Sequence, residues 1–244
     1  MKNLIKNALI DQKEIFGDEL FTSEIEVKPV KKERKTEYRS VSVEPSFVTE
    51  PSFEFEHVKS LEQLYDEIHT CQRCALGKTR TKFVFGTGNP NADVMLIGEA
   101  PGADEDRTGE PFVGRAGKLL TDILKAINFT RDEVYIANIL KCRPPNNRDP
   151  LPSEREMCMP YLMKQIELIK PKLILCLGRI AATTLLNKKL SLTKMRGEVF
   201  DFYGVKLMVT YHPAALLRNP HWKRPVWEDV QKFRKLYDEI KANE

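Results

Sequence analysis

The stretch VMLIGEAPG, residues 94–102, decides how the rest of the chain reads. Four apolar residues run without a polar break into Gly98, and the chain then turns through Glu99, Ala100, Pro101 and Gly102. A short apolar run closed by glycine and proline is the pattern of a strand buried on both faces. Three more runs of this kind follow at residues 134–140, 173–178 and 206–211. Amphipathic helices are expected near residues 115–127, 153–169, 180–186 and 226–242, and Ser60 stands where it can cap a helix through Thr70. Strands alternating with helices predict an α/β domain whose parallel sheet is covered on both faces. In such folds the functional site gathers at the carboxyl ends of the strands. Three unusual segments lie there: Gly98–Gly102, the stretch from Asn138 through Lys141-Cys142-Arg143-Pro144-Pro145, and Tyr211–Pro220.

Outward from this core the composition changes. Residues 59–244 read as the folded domain and residues 1–58 as an N-terminal extension. Leu4, Ile5, Ala8, Leu9, Phe16 and Leu20 have roughly helical spacing. A charged, proline-punctuated linker follows, and it repeats Glu-Pro-Ser-Phe from Glu44 and from Glu50. The plain reading is a disordered tether; the sharper one is a segment that docks a replication or repair protein. No run of 18 apolar residues predicts a membrane span, and the N-terminus lacks a signal-peptide apolar stretch. The expectation is a cytoplasmic monomer in which thiols stay reduced. The first 60 residues carry 10 Lys/Arg against 12 Asp/Glu, whereas the remainder carries 29 against 23. That positive excess suits a nucleic-acid partner without requiring one.

Cys71 and Cys74 form a Cys-x-x-Cys pair; Cys142 follows after 67 residues and Cys158 after 15 more. Four thiolates suit a structural zinc or an iron–sulfur cluster, and the spacing leaves both open. Cys176, inside LILCLG, reads as a core residue.

The segments CQRCALGKTRTKFVFGTGNPNADVMLIGEAPG, EDRTGEPFVGRAGKLL, YIANILKCRPPNNRDP and HPAALLRNP are long, ordered and collinear. From Cys71 to about Tyr237 the chain resembles the family-four uracil-DNA glycosylases, the iron–sulfur branch of that superfamily. The resemblance implies a three-layer α/β/α fold with a central four-stranded parallel sheet. It also implies a 4Fe–4S cluster on Cys71, Cys74, Cys142 and Cys158, and uracil-containing DNA, single- or double-stranded, as substrate.

Such an enzyme must rotate uracil out of the stack, at a cost of roughly a few kcal/mol. Phe112, in a Gly/Pro loop, is the expected platform for the base, with Gly98 and Gly102 lining the pocket. Asn138 is the expected reader, since its amide can accept from uracil N3–H and donate to O4, a pattern that cytosine reverses. His212 is the expected catalyst, donating to the charge that builds on the departing base. The best-known members of the superfamily carry Asp and Tyr where this chain has Ala100 and Gly102, so Glu99 and Glu105 become the candidates for positioning water, with Glu105 alternatively blocking thymine. Leu216 or Leu217 could wedge into the stack, with Arg148, Arg196 and Arg218 among the phosphate anchors. The bland readings are a packed Phe, an Asn closing a strand, a solvated acidic loop and ordinary surface charges. Two alternatives compete with excision. A branch that traps uracil-DNA covalently uses a His in an inserted loop, which residues 143–150 lack; a noncatalytic DNA-binding module would not need Phe112, Asn138 and His212 together.

Overall fold

In the computed structural model, residues 53–244 are described, together with the backbone of Val41–Ser42. The N-terminal helix and the Glu-Pro-Ser-Phe repeat expected from the sequence lie outside the described residues. Four strands form the centre of one sheet: β3 (Val94–Gly98), β4 (Tyr135–Asn138), β5 (Leu173–Leu177) and β7 (Val205–Thr210). They run parallel, with β3 between β4 and β5, and β7 beyond β5. Every residue of β3, β4 and β5 is buried, as an uninterrupted apolar run requires.

The sheet is wider than the expected four strands. Among the described residues it has seven, because β2 (Thr87–Gly88), β6 (Val199–Phe202) and β1 (Val41–Ser42) extend its edges. β2 pairs antiparallel with β4, and β6 pairs antiparallel with β7. The β6–β7 hairpin turns at Tyr203 and Gly204, both at positive φ (50° and 80°), the left-handed pair that matches strand twist. This hairpin escaped the sequence reading because β6 is short and carries Asp201, which breaks its apolar run.

Alternating strand residues face two cores. Met95 and Ile97 pack with Ile174, Cys176 and Val209 beneath α1 (Leu61–Ile68), α5 (Pro152–Ile169) and α6 (Arg179–Leu186). Val94 and Leu96 pack with Leu175 and Met208 beneath α4 (Arg115–Ala126) and α9 (Lys223–Ala242). Helices therefore cover both faces. Three shorter helices complete the set: α2 (Leu76–Thr79), α3 (Ala103–Thr108) and α7 (Leu192–Met195), with α8 (Pro213–Arg218) following β7. Ser60 caps α1 as expected, its hydroxyl accepting from the Gln63 N–H at 3.2 Å. Phe55 and Val58, upstream of the boundary expected at residue 59, are buried in the first core.

Gly88 sits at φ 120°, and a Cβ there would overlap the Val134 carbonyl across the β2–β4 pairing. Gly204 also has a positive φ but faces open space. Gly88→Ala should cost about 2–3 kcal/mol through strain, and Gly204→Asn should stay within about 0.5 kcal/mol. Urea unfolding midpoints would measure both.

Candidate active site

The carboxyl ends of β3 and β4 bring the first two site residues together. Gly98 and Asn138 are register partners in the parallel pair. A Cβ on Gly98 would run into the Asn138 side-chain oxygen and lie 2.7 Å from Phe112 Cζ. The missing side chain is therefore what lets Asn138 and Phe112 flank one space. Asn138 is 2% exposed, and its Oδ1 has no hydrogen-bond partner among the described residues. A buried acceptor left open costs about 1–3 kcal/mol, so such an atom suggests a ligand donor.

Phe112 holds φ 55°, an unfavourable conformation for an aromatic residue. Three devices hold its loop. The Arg131 guanidinium donates to the Phe112 and Pro111 carbonyls at 3.2 and 3.0 Å. The Glu105 carboxylate accepts from the Val113, Gly114 and Gly102 N–H groups, each at 3.0 Å. Gly117 in α4 leaves room for the Phe112 carbonyl, which a Cβ would overlap. Arg131 was not found from the sequence, where nothing distinguishes it from a surface cation.

His212 caps α8, its Nδ1 accepting from the Ala214 N–H at 3.1 Å. That contact assigns the ring proton to Nε2 in the neutral form. Burial, with the Arg218 charge adding to it, pulls the imidazole down to about 4, so it is neutral at physiological pH. The ring stacks on Phe112 with centroids 5.4 Å apart, and Gly178 at the end of β5 lets the His212 Cβ approach closely. Glu99 follows Gly98 directly. Burial, then the charge of Asp149, raises its carboxyl above the ordinary value, while Arg179 and Arg155 pull the other way.

Several expected roles are redirected. Glu105 lies at the start of α3, with both carboxylate oxygens engaged by backbone amides, so it holds the loop instead of facing the base. Gly102 is the N-cap of that helix. Leu216 is 1% exposed in the second core and cannot act as a wedge in this arrangement, whereas Leu217 is 42% exposed. Arg148 makes a two-pronged pair with buried Glu154, at 2.9 and 2.6 Å. Arg196 bonds Asp229, which also accepts from Thr210 at 2.7 Å. Both arginines therefore serve the fold; Arg218, beside Leu217, is exposed. Gly86 and Gly88 lie against Tyr135 and Val134.

On the opposite side of β4, Cys71, Cys74, Cys142 and Cys158 line one hollow with Arg73, Gly77, Phe83, Met157 and Tyr161. Donors point at the sulfurs: Tyr161 Oη to Cys71 at 3.1 Å and Arg80 Nη1 to Cys142 at 3.4 Å. Arg80 also donates to the Cys71 and His69 carbonyls, fixing the Cys-x-x-Cys loop. Burial raises the Cys142 thiol and pushes Cys158 up to about 12. Among the described residues no group of three Cys, His, Asp or Glu is arranged for a single ion. Four soft sulfur donors around one hollow suit a thiophilic metal centre.

Comparison with known proteins bears on the same residues. Residues 85–234 match the model of the Uracil DNA glycosylase superfamily. The type-4 uracil-DNA glycosylase of Archaeoglobus fulgidus is 46% identical over 187 residues, covering 73% of this chain and 94% of that protein. Those of Sulfurisphaera tokodaii and Thermotoga maritima are 46% and 44% identical, covering 84% and 93% of their lengths and 72% and 71% of this chain.

Removing Arg196 would leave Asp229 buried beside Thr210 without its cation. Arg196→Met should therefore destabilise the fold by about 3 kcal/mol, read from urea unfolding, while the salt dependence of DNA binding stays as in the wild type.

Proposed function

We propose, from the premise that this chain belongs to the uracil-DNA glycosylase superfamily and to its type-4 branch, that the residues at the ends of β3, β4 and β7 carry out its chemistry. The chain excises uracil from DNA by hydrolysing the N-glycosidic bond, leaving an abasic site. The observation that carries the residue assignment is the open, buried Asn138 Oδ1 beside Phe112 and His212.

Leu217 enters the stack as uracil leaves it, and Arg218 meets the phosphate backbone. The flipped base lies against Phe112. Asn138 Oδ1 accepts from uracil N3–H and Nδ2 donates to O4; cytosine would present an acceptor to an acceptor, and a site built on such bonds can discriminate by about 10⁴–10⁵. As the C1′–N1 bond breaks, its electron pair moves onto the base, with much of the charge at O2. His212 Nε2–H donates to that oxygen more strongly in the transition state than in the ground state. A neutral donor suits this role, because its proton is held while the charge develops. Glu99 orients the water and takes its proton as the new C1′–O bond forms. The uracil anion is then protonated by solvent.

The four cysteines are proposed to hold a 4Fe–4S cluster, which would cross-link the Cys-x-x-Cys loop to α5 and to the segment after β4. No step of the hydrolysis passes through it. Residues upstream of the folded domain, 1–52, are proposed to tether the enzyme to a replication or repair protein, in a chain that acts as a monomer. Among the described residues no helix is long and apolar enough to cross a membrane.

Purified protein should release free uracil from single-stranded DNA and from U·G duplexes. His212→Ala should slow single-turnover release by about 10²–10³-fold; an unchanged rate would remove that assignment. Asn138→Asp should narrow the preference for uracil over cytosine. Tight DNA binding without release would favour the binding-module reading instead.

The pH profile tests the Glu99 assignment. Glu99 works ionised, and its raised carboxyl means activity is present above that value and lost as pH falls through it. The limb should therefore lie higher than an unperturbed glutamate would place it. Glu99→Gln should abolish the limb and reduce the rate by about 10²-fold, measured by single-turnover release from pH 4 to 9.

A further inference from the structure

Tyr211 follows β7 and stands directly before His212, while Trp222 ends the turn Pro220–Trp222 that leads into α9. The two rings stack with centroids 4.7 Å apart and planes 15° from parallel. Both pack, partly buried, against the second core. The Arg196 guanidinium lies 6.0 Å from the Tyr211 ring centroid and donates to the Pro225 carbonyl at 2.6 Å, a further tie to the start of α9. The stack therefore joins the two ends of one surface loop, residues 212–221, in the manner of an Ω-loop. That loop carries His212, Leu217 and Arg218, yet the hydrolysis uses neither ring of the stack. Within it, α8 is only six residues long, too short to be stable by its own hydrogen bonds. Its other backbone bonds are local, from the Asn219 N–H to the Ala215 carbonyl and from the Trp222 N–H to the Asn219 carbonyl. Buried Leu216 anchors the underside, and Leu217 and Arg218 face outward.

We propose that the Tyr211–Trp222 stack is the stem of the wedge loop and Trp222 a positioning residue for it, needed to open a duplex at uracil and dispensable on a single strand. The inference rests on the reading of Leu217 as the wedge. Unpairing and unstacking a nucleotide is work done against the duplex, and an apolar wedge supports it only if the loop behind does not yield. The stack resists that load by fastening the loop to β7 at one end and to α9 at the other, both seated on the second core. Without it, the loop recoils and Leu217 no longer holds the bases apart. A single strand has no partner base to displace, so a yielding loop costs it little. His212 is held separately, by its Nδ1 bond to the Ala214 N–H and by its contact with the Phe112 ring, so bond cleavage survives loss of the stack.

The test measures single-turnover uracil release by the full chain from a U·A duplex and from the same strand unpaired. It compares wild type with Trp222→Leu, Trp222→Phe, Tyr211→Leu and Leu217→Ala. Trp222→Leu keeps an apolar side chain and removes the stack; Trp222→Phe keeps a ring. The worth of one aromatic pair converts to a rate effect of up to about tenfold, so Trp222→Leu should slow the duplex reaction about 10-fold and leave the single-strand rate within about threefold. Trp222→Phe should restore the duplex rate to within about threefold of wild type. Tyr211→Leu breaks the same stack from the β7 side and should lower the ratio of duplex to single-strand rate as Trp222→Leu does. It decides the matter if Trp222→Leu does not fold. A wild-type ratio in the folded variants, whether from unchanged rates or from an equal loss on both substrates, would overturn the stem role. Leu217→Ala separates this role from the wedge reading beneath it. A duplex-specific loss in Leu217→Ala with none in the stack variants overturns the stem alone. An unchanged ratio in Leu217→Ala overturns the wedge reading, and the stem with it.

Discussion

The parallel pairing of β3 with β4 is the constraint on which the site depends. It sets Gly98 opposite Asn138, and the absence of a Cβ at Gly98 lets the amide and the Phe112 ring share one space. Every other site feature is arranged around that gap. Arg131, Glu105 and Gly117 hold a Phe112 backbone that would otherwise relax from its positive φ. Gly178, one strand further along, admits His212 beside the ring. The strain and the open acceptor both lower stability, and both are tolerated because two apolar cores enclose the sheet.

The same economy explains which charges stay with the fold. Glu154 and Asp229 are buried acids, and each needs a cation or a donor to remain ionised at modest cost. Arg148 and Arg196 meet that need, so their guanidinium groups are engaged within the fold. Leu216 and Leu217 divide in a similar way. Consecutive residues on a short helix point about 100° apart, so one packs under α8 and the other faces solvent.

The four-cysteine hollow and the base pocket lie on opposite sides of one short segment, from Asn138 to Cys142. A rigid centre there would fix the backbone that carries the reader without touching the substrate. Such a centre would hold the frame in an enzyme whose proposed chemistry is hydrolysis.

The sequence by itself determined the layered α/β plan, the four central strands, the Ser60 cap, the buried Cys176 and the gathering of unusual segments at the strand ends. These follow from local rules: apolar runs of strand length, glycine and proline at their ends, and helical periodicity between them. The family resemblance likewise rested on contiguous motifs that need no coordinates. The edge strands, the helix within the acidic loop and the fate of each arginine were decided only in three dimensions. Whether Arg148 meets a phosphate or Glu154, whether Glu105 faces a base or three amides, and whether Leu216 is buried depend on neighbours the chain brings close only on folding. The cysteine spacing, too, leaves zinc and a cluster equally open. The fold brings the four sulfurs to one hollow, a gathering that spacing along a chain does not fix.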